Sequence, residues 1–229
     1  MKILASDFDD TIYLENDLEK TKDNVQRIKK FMQQGNIFII ITGRNYTDLK
    51  NFLIKEDIPY SYLVCEDGAK LFNNMDYCFH TILLEEELIN RIIPALEEKQ
   101  LDYYLDDGYN KTENRKDCVK IVINCKIQEE KEKIVSYLKE EFPVHIYASR
   151  THVNIINKAV NKEKALKILF NLEELSLNHL YVIGDNDNDY EMLKAFQGAV
   201  ISKHHKKLDE LEKEEYDTLK DYIEELMKD

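Results

Sequence analysis

An apolar run that stops abruptly at acidic residues constrains this chain more than any other feature: Ile3-Leu4-Ala5 leads into Asp7-Phe8-Asp9-Asp10-Thr11. Such a run reads as a strand buried on both faces of a parallel sheet, delivering carboxylates to a pocket at its end. Side chains alternate along a strand, so Asp7 and Asp9 share a face while Phe8 returns to the core. Two like charges held this close repel, and a fold tolerates them when a cation lies between them or one carboxyl keeps its proton. The plainer alternative is an acidic loop after an edge strand.

The rest of the chain favours the pocket. Ile12 to Leu18 lacks periodicity and reads as a loop or flap over the site, followed by a helix from Lys20 to Gln34 with Val25, Ile28, Phe31 and Met32 on one face and Gly35 as its C-terminal cap. Ile37–Ile41 is a second continuous, β-branched run, and it ends in Thr42-Gly43-Arg44. A helix over Tyr46–Ile54 and a strand over Tyr62–Cys65 follow, the latter ending in Glu66-Asp67-Gly68-Ala69. Strands alternating with helices imply right-handed crossovers and a doubly wound, Rossmann-like α/β core with a parallel sheet.

From Leu71 the rhythm changes. Asn73-Asn74-Met75-Asp76 reads as a hairpin turn. Helix (Glu85–Lys99), strand (Leu101–Leu105), strand (Cys118–Cys125), helix (Glu129–Glu141), strand (Val144–Tyr147) and strand (His152–Ile156) then spell αββ twice. That pattern predicts an inserted α+β cap with an antiparallel sheet and both helices on one side. Pro94 predicts a kink or an early end in the first of these helices. The α/β rhythm resumes with a helix over Lys162–Asn171, a strand over Leu180–Ile183, the turn Gly184-Asp185-Asn186-Asp187-Asn188-Asp189, a further helix and a strand over Ala199–Ile201. Acidic helices, including Glu215–Met227, are expected to finish the chain. The domains expected are a discontinuous core, 1–75 and 157–229, and a cap, 76–156.

Composition limits the partners. Of 229 residues, 43% are hydrophobic, enough for a core, and the net charge of -13 argues against nucleic acid and anionic membrane surfaces. It does not exclude an anionic substrate, because a locally cationic, metal-holding pocket can capture phosphate in an acidic protein. Cys65, Cys78, Cys118 and Cys125 show neither C-x-x-C nor zinc-type spacing and read as reduced thiols. No run approaches the roughly 18 apolar residues of a membrane span, and the expected location is cytoplasmic.

Four polar clusters, Asp7–Thr11, Thr42–Arg44, Lys162 and Gly184–Asp189, lie at or beside the ends of core strands, where open parallel sheets form their ligand crevice. Together, D-x-D-x-T, the strand ending in T-G-R, a lysine opening a helix and G-D-x-x-N-D resemble the haloacid dehalogenase superfamily of phosphotransferases across the whole chain. The αββ repeat resembles the type-two cap of its Cof-like, sugar-phosphate phosphatase branch. Asp10 stands where that family usually has Gly. Ala159-Val160-Asn161-Lys162-Glu163 and Glu66-Asp67-Gly68 depart similarly from Gly-Val-Ser-Lys-Gly and Glu-Asn-Gly, and none of these changes removes a reacting group.

The chemistry also follows from the residues. A carboxylate with an ordinary pKa of about 4 is ionised at neutral pH, so Asp7 can attack phosphorus and form an aspartyl phosphate. Asp9 is placed to protonate the leaving oxygen and then to activate water. A hard divalent ion, expected to be Mg²⁺, would remove the repulsion between carboxylate and phosphate. The resemblance implies that Asp7 and Asp185 supply metal carboxylates, Asp9 its carbonyl, and Asp189 either a contact through water or support from behind the ligands. It also implies that Thr42, Gly43, Lys162 and Asn188 surround the phosphoryl oxygens.

Plainer readings stand beside these. The Gly184–Asp189 turn is similar to part of a calcium loop but lacks the EF-hand glycine and glutamate. Thr42 could instead be a helix cap with Gly43 a turn, Lys162 a surface lysine, and Arg44 a cap or brace for the strand end. Within the cap, Asp106–Lys111 and Ser149–His152 are candidate contact loops, with Tyr109 and Arg150 as candidate contacts to the leaving group. The leading expectation is a Mg²⁺-dependent phosphomonoester hydrolase acting on a small phosphorylated metabolite, such as a sugar phosphate. A phosphomutase and a noncatalytic phospho-acceptor or phosphometabolite sensor are the alternatives, and the oligomeric state is left open.

Overall fold

The computed structural model describes residues 1–149 and 151–228. Strand β1 (Ile3–Ser6) and helix α1 (Leu18–Gln33) are followed by β2 (Ile37–Ile41), α2 (Tyr46–Lys55), β3 (Tyr62–Cys65), β4 (Lys70–Asn73) and β5 (Cys78–Thr81). The insert adds α3 (Glu86–Glu98), β6 (Tyr103–Asp106), β7 (Lys111–Thr112), β8 (Lys120–Asn124), α4 (Gln128–Glu141), β9 (Val144–Ala148) and β10 (His152–Asn157). The chain closes with α5 (Lys162–Leu172), β11 (Leu180–Gly184), α6 (Tyr190–Ala195), β12 (Gln197–Ile201), β13 (Glu214–Tyr216) and α7 (Leu219–Leu226).

Eight strands form one sheet in the order β13-β12-β11-β1-β2-β3-β4-β5, with β1 at the crossover between its two halves. The pairs from β13 to β3 are parallel, and β4 and β5 add an antiparallel edge. Ile3, Leu4 and Ala5 are fully buried because helices cover both faces. Leu4, Ile28, Phe31, Phe38 and Ile223 pack on one face. Ile3, Ile39, Leu166, Leu169 and Leu193 pack on the other. Gly35 takes φ +82 and donates its amide to Met32 O (2.9 Å), terminating α1 as its position predicts.

The second sheet is antiparallel in the order β7-β6-β8-β10-β9. Leu105, Ile121, Ile123, Ile146, Val153 and Ile155 pack against the apolar faces of α3 and α4. The alternate residues Asp106, Lys120, Asn154 and Tyr147 therefore face the other way.

Several expectations are corrected. Pro94 does not end helix α3 early: the helix runs to Glu98, because burial of Leu88, Ile89, Ile92, Ile93 and Leu96 outweighs a missing helix hydrogen bond. Cys78–Thr81, on the cap side of the boundary drawn at residue 76, pairs with β4 in the large sheet. A hairpin β6–β7 adds an edge that two residues, Lys111 and Thr112, are too short to signal in the sequence. Instead of a helix from Glu215, the chain forms the edge strand β13, whose exposed Glu214 and Glu215 discourage further pairing. Helix α7 begins only after Thr218, whose hydroxyl accepts from Asp221 N at 3.2 Å. Residues 12–17 form an irregular loop, as expected, and it is anchored at its start: Ile12 is fully buried, and the amides of Ile12 and Tyr13 return to Phe8 O.

Candidate active site

Adjacent parallel strands bring the first and last polar clusters together. Ser6 of β1 is in register with Ile183 of β11, so Asp7 and Asp185 emerge side by side, and Asp7 N donates to Ile183 O at 3.0 Å. Thr11 Oγ1 donates to Asp185 Oδ1 at 2.7 Å. Asp189 Oδ2 accepts from the amides of Asp185 and Asn186, both at 3.0 Å, which folds the turn back on itself. Gly184 makes this close approach feasible: a Cβ there would lie 2.4 Å from Asp189 Cγ. Lys162, fully buried at the start of α5, donates to Asp189 Oδ1 at 2.6 Å and pairs with Asp7 Oδ1. Asn161 caps that helix by accepting from Lys164 N at 2.8 Å.

Charge is poorly balanced in this group. One lysine faces three carboxylates, whose oxygens lie within 4.8 Å of one another. Burial, with repulsion from Asp189 and Asp185, pushes Asp7 well above the usual carboxylate range despite the pull of Lys162. Burial and Asp189 push Asp185 up to about 7, against the Thr11 hydrogen bond and Lys162. Burial disfavours the Lys162 charge, but attraction from Asp189 and Asp7 more than reverses this and raises its pKa. Asp7 is therefore not the ordinary ionised carboxylate expected from its reference pKa. An all-oxygen set in which Asp7 and Asp185 resist losing their protons fits a hard divalent cation. Asp7 and Asp185 are the natural first donors, because Asp189 already accepts from a lysine and two amides.

The other predicted residues lie around this centre. Asp9, half-exposed, receives a bidentate pair from Arg44, Nε to Oδ2 at 2.8 Å and Nη2 to Oδ1 at 2.7 Å. The guanidinium also lies 4.4 Å from the centre of the Phe52 ring. Arg44, read as a strand brace, is thus a direct partner of the predicted acid–base group. Thr42 is buried and accepts from Arg44 N at 3.2 Å. Asn188 Nδ2 donates to Asp67 Oδ1 at 2.7 Å, and the Asp67 carboxylate packs against Gly43, where a Cβ would meet Oδ2 at 2.9 Å. Asp10 has φ 59, a left-handed conformation that glycine or aspartate can adopt.

The insert covers this region. Lys120 of β8 pairs with fully buried Glu66 and donates to Gly43 O at 3.1 Å. Burial, despite Lys120, raises Glu66 to about 7. Between core and insert lies a cavity of about 340 Å³, lined in part by Asp67, Lys162 and Asn188 below and His145, Tyr147 and Ile156 above. Tyr109 is elsewhere: its ring packs on Tyr46 and Phe72, and Lys70 Nζ lies 4.2 Å above it. The Asp106–Lys111 loop docks near α2, with Gly108 O accepting from Tyr46 N at 2.9 Å. Arg150 lies outside the described residues. Thr11, Glu66, Asp67, Lys120 and Tyr147 were not singled out from sequence as site residues. For Lys120 the signal was a cation in an otherwise apolar strand.

A family model for haloacid dehalogenase-like hydrolases matches residues 4–111 and 104–208, and the chain belongs to that family. A Haemophilus influenzae protein named "Putative phosphatase" is 25% identical over 237 residues, spanning 87% of this chain and 85% of that protein. The fold is shared with a Bacteroides thetaiotaomicron protein described among phosphatases of the haloalkanoate enzyme superfamily (TM-score 0.83, 15% identity, 99% and 94% of the two chains). A protein described as a subclass IIB sugar phosphatase also shares it (TM-score 0.78, 15% identity, 100% and 98%).

Proposed function

We propose that this hydrolase is a Mg²⁺-dependent phosphomonoesterase that acts on a small phosphorylated metabolite, with sugar phosphates as the substrate class, through an aspartyl phosphate at Asp7. The observation that carries the reading is the buried group Asp7, Asp185, Asp189 and Lys162 at the ends of β1 and β11, with Asp9 two residues beyond the nucleophile. Mg²⁺ held by Asp7, Asp185 and the Asp9 carbonyl would stabilise the ionised form of Asp7 and offset repulsion from an incoming phosphate.

An Asp7 carboxylate oxygen attacks phosphorus as the bond to the leaving oxygen breaks, and Asp9 gives that oxygen its proton. Asp9, now a carboxylate, takes a proton from the water that attacks the aspartyl phosphate, releasing phosphate and restoring both groups. The Arg44 fork occupies both Asp9 carboxylate oxygens, so proton donation requires that contact to loosen when substrate binds. Lys162, Thr42, the Gly43 amide and Asn188 would surround the phosphoryl oxygens and stabilise charge in the transition state.

The proposed division of labour gives this chemistry to the discontinuous core and leaving-group selection to the insert. Phosphate release from an activated aryl phosphate, with and without Mg²⁺, compares the intact protein with Asp7→Asn and Asp9→Asn. Metal-dependent release lost in both variants is expected. A stable phosphoryl label on Asp7 without release would overturn the hydrolase reading in favour of a phospho-acceptor.

A further inference from the structure

Three polar contacts from the insert land on one short segment of the core. Lys120 Nζ donates to Gly43 O at 3.1 Å, Asp106 Oδ2 accepts from Asn45 Nδ2 at 3.2 Å, and Gly108 O accepts from Tyr46 N at 2.9 Å. This segment follows β2 and carries Thr42, the Gly43 amide and Arg44, the partner of Asp9. Its first three carbonyls are all tied. Thr42 O accepts from Asp67 N at 2.9 Å, Arg44 O from Glu66 N at 3.0 Å, and Gly43 O, between them, from Lys120. Two of these donors are backbone amides of the core, whereas the third is a side chain of the insert, 6% exposed and paired with Glu66.

Stability alone gives little reason for a lysine here. It opens a strand that continues Ile121, Val122 and Ile123, and apolar residues in place of a buried ion pair are often neutral or stabilising. Burial works against its charge, and Glu66, followed by Asp67 and Asp106, more than offsets that penalty. What the lysine adds is orientation. In a planar trans peptide the N–H and C=O point in opposite directions, so holding Gly43 O aims the Arg44 amide the other way. That amide donates to Thr42 Oγ1 at 3.2 Å. A threonine hydroxyl that accepts one hydrogen bond still has its own proton to give. Thr42 is itself fixed, buried and with its amide on Val64 O at 2.9 Å, so the direction of that proton is set by its neighbours.

We infer that Lys120 is a positioning residue for phosphoryl transfer: through the Gly43–Arg44 peptide it sets the Thr42 hydroxyl to donate to a phosphoryl oxygen, so that the docked insert completes the phosphate site. The inference rests on the phosphatase reading and gives part of phosphate recognition to a residue outside the core. Donors held in place before the reaction stabilise developing charge without having to reorganise. Because Lys120 acts on the phosphoryl oxygens and not on the group that leaves, its contribution is the same for every ester.

Substituting the pair together, Glu66→Gln with Lys120→Met, removes the contact to Gly43 without leaving either charge buried alone, and thermal unfolding checks that the protein is folded. Calorimetric dissociation constants for orthovanadate, measured with Mg²⁺, should rise about tenfold in this variant. Its kcat/KM should fall by a common factor of about 100 for p-nitrophenyl phosphate and n-propyl phosphate. Adding Thr42→Val should lose little beyond the loss from Thr42→Val alone, because both changes act on one hydroxyl. Unchanged vanadate affinity, unequal losses for the two esters, or losses that multiply with that of Thr42→Val would overturn the inference, including where the melting temperature falls. No vanadate binding by the intact protein would overturn it together with the hydrolase reading. Vanadate binding that follows the expected pattern with no ester hydrolysed would overturn the hydrolase reading alone and leave the role of Lys120 standing.

Discussion

Asp185 and Asp7 show how position changes the chemistry of an ordinary residue. Burial beside Asp189 raises Asp185 to about 7, so a cation must compete with a proton for that carboxylate. The half-saturating Mg²⁺ concentration for phosphate release should therefore fall as pH rises from 6 to 8, by up to about tenfold per unit where one proton is displaced. A flat Mg²⁺ requirement across that range would contradict the assignment of Asp185. Asp9 depends on Arg44 for its orientation, and Arg44→Met should lower kcat more than it raises KM, a split measurable by steady-state kinetics. If Arg44 only braced the strand, thermal stability would fall while the kinetic constants stayed in place.

Between elements, the ion pair of Glu66 and Lys120 joins the loop after β3 to β8 of the insert. Both groups are buried, so removing one leaves the other charge uncompensated. Lys120→Met should cost about 3–5 kcal/mol in denaturant unfolding at pH 8, and less at pH 5, where Glu66 can take up a proton. The folded protein holds Glu66 at about 7, above its ordinary 4.5, so the protonated form is favoured by folding. That contribution to stability is complete below about 4.5 and is lost as pH rises through about 7. Glu66→Gln should flatten the slope of stability against pH across this window, and an unchanged slope would remove Glu66 as its source. Glycine positions act at the same scale. Gly198→Ala would place a Cβ 2.0 Å from Val182 O, and loss of soluble folded protein is the expected outcome.

At the scale of the whole molecule, the proposed division of labour gives phosphate chemistry to the core and leaving-group choice to the insert. Exchanging the insert for that of another family member, with Lys120 retained, should change leaving-group preference while aryl phosphate turnover stays within about tenfold. Loss of turnover with the fold intact would show that the insert also completes the catalytic group. The alternation of strands and helices, the αββ repeat and the residues at the strand ends were legible in the sequence because they follow local periodicity and short-range pattern. Pattern alone could not locate β13, whose three residues carry little signal, or foresee that packing would carry α3 through Pro94. Nor could it show that Arg44 holds Asp9, that Tyr109 packs away from the cavity, or that Glu66 and Lys120 meet across two sheets. The sequence by itself determined which reactive groups exist and which strand ends carry them. Tertiary structure decided their partners and their readiness to ionise, because hydrogen-bond geometry and desolvation depend on residues far apart in the chain.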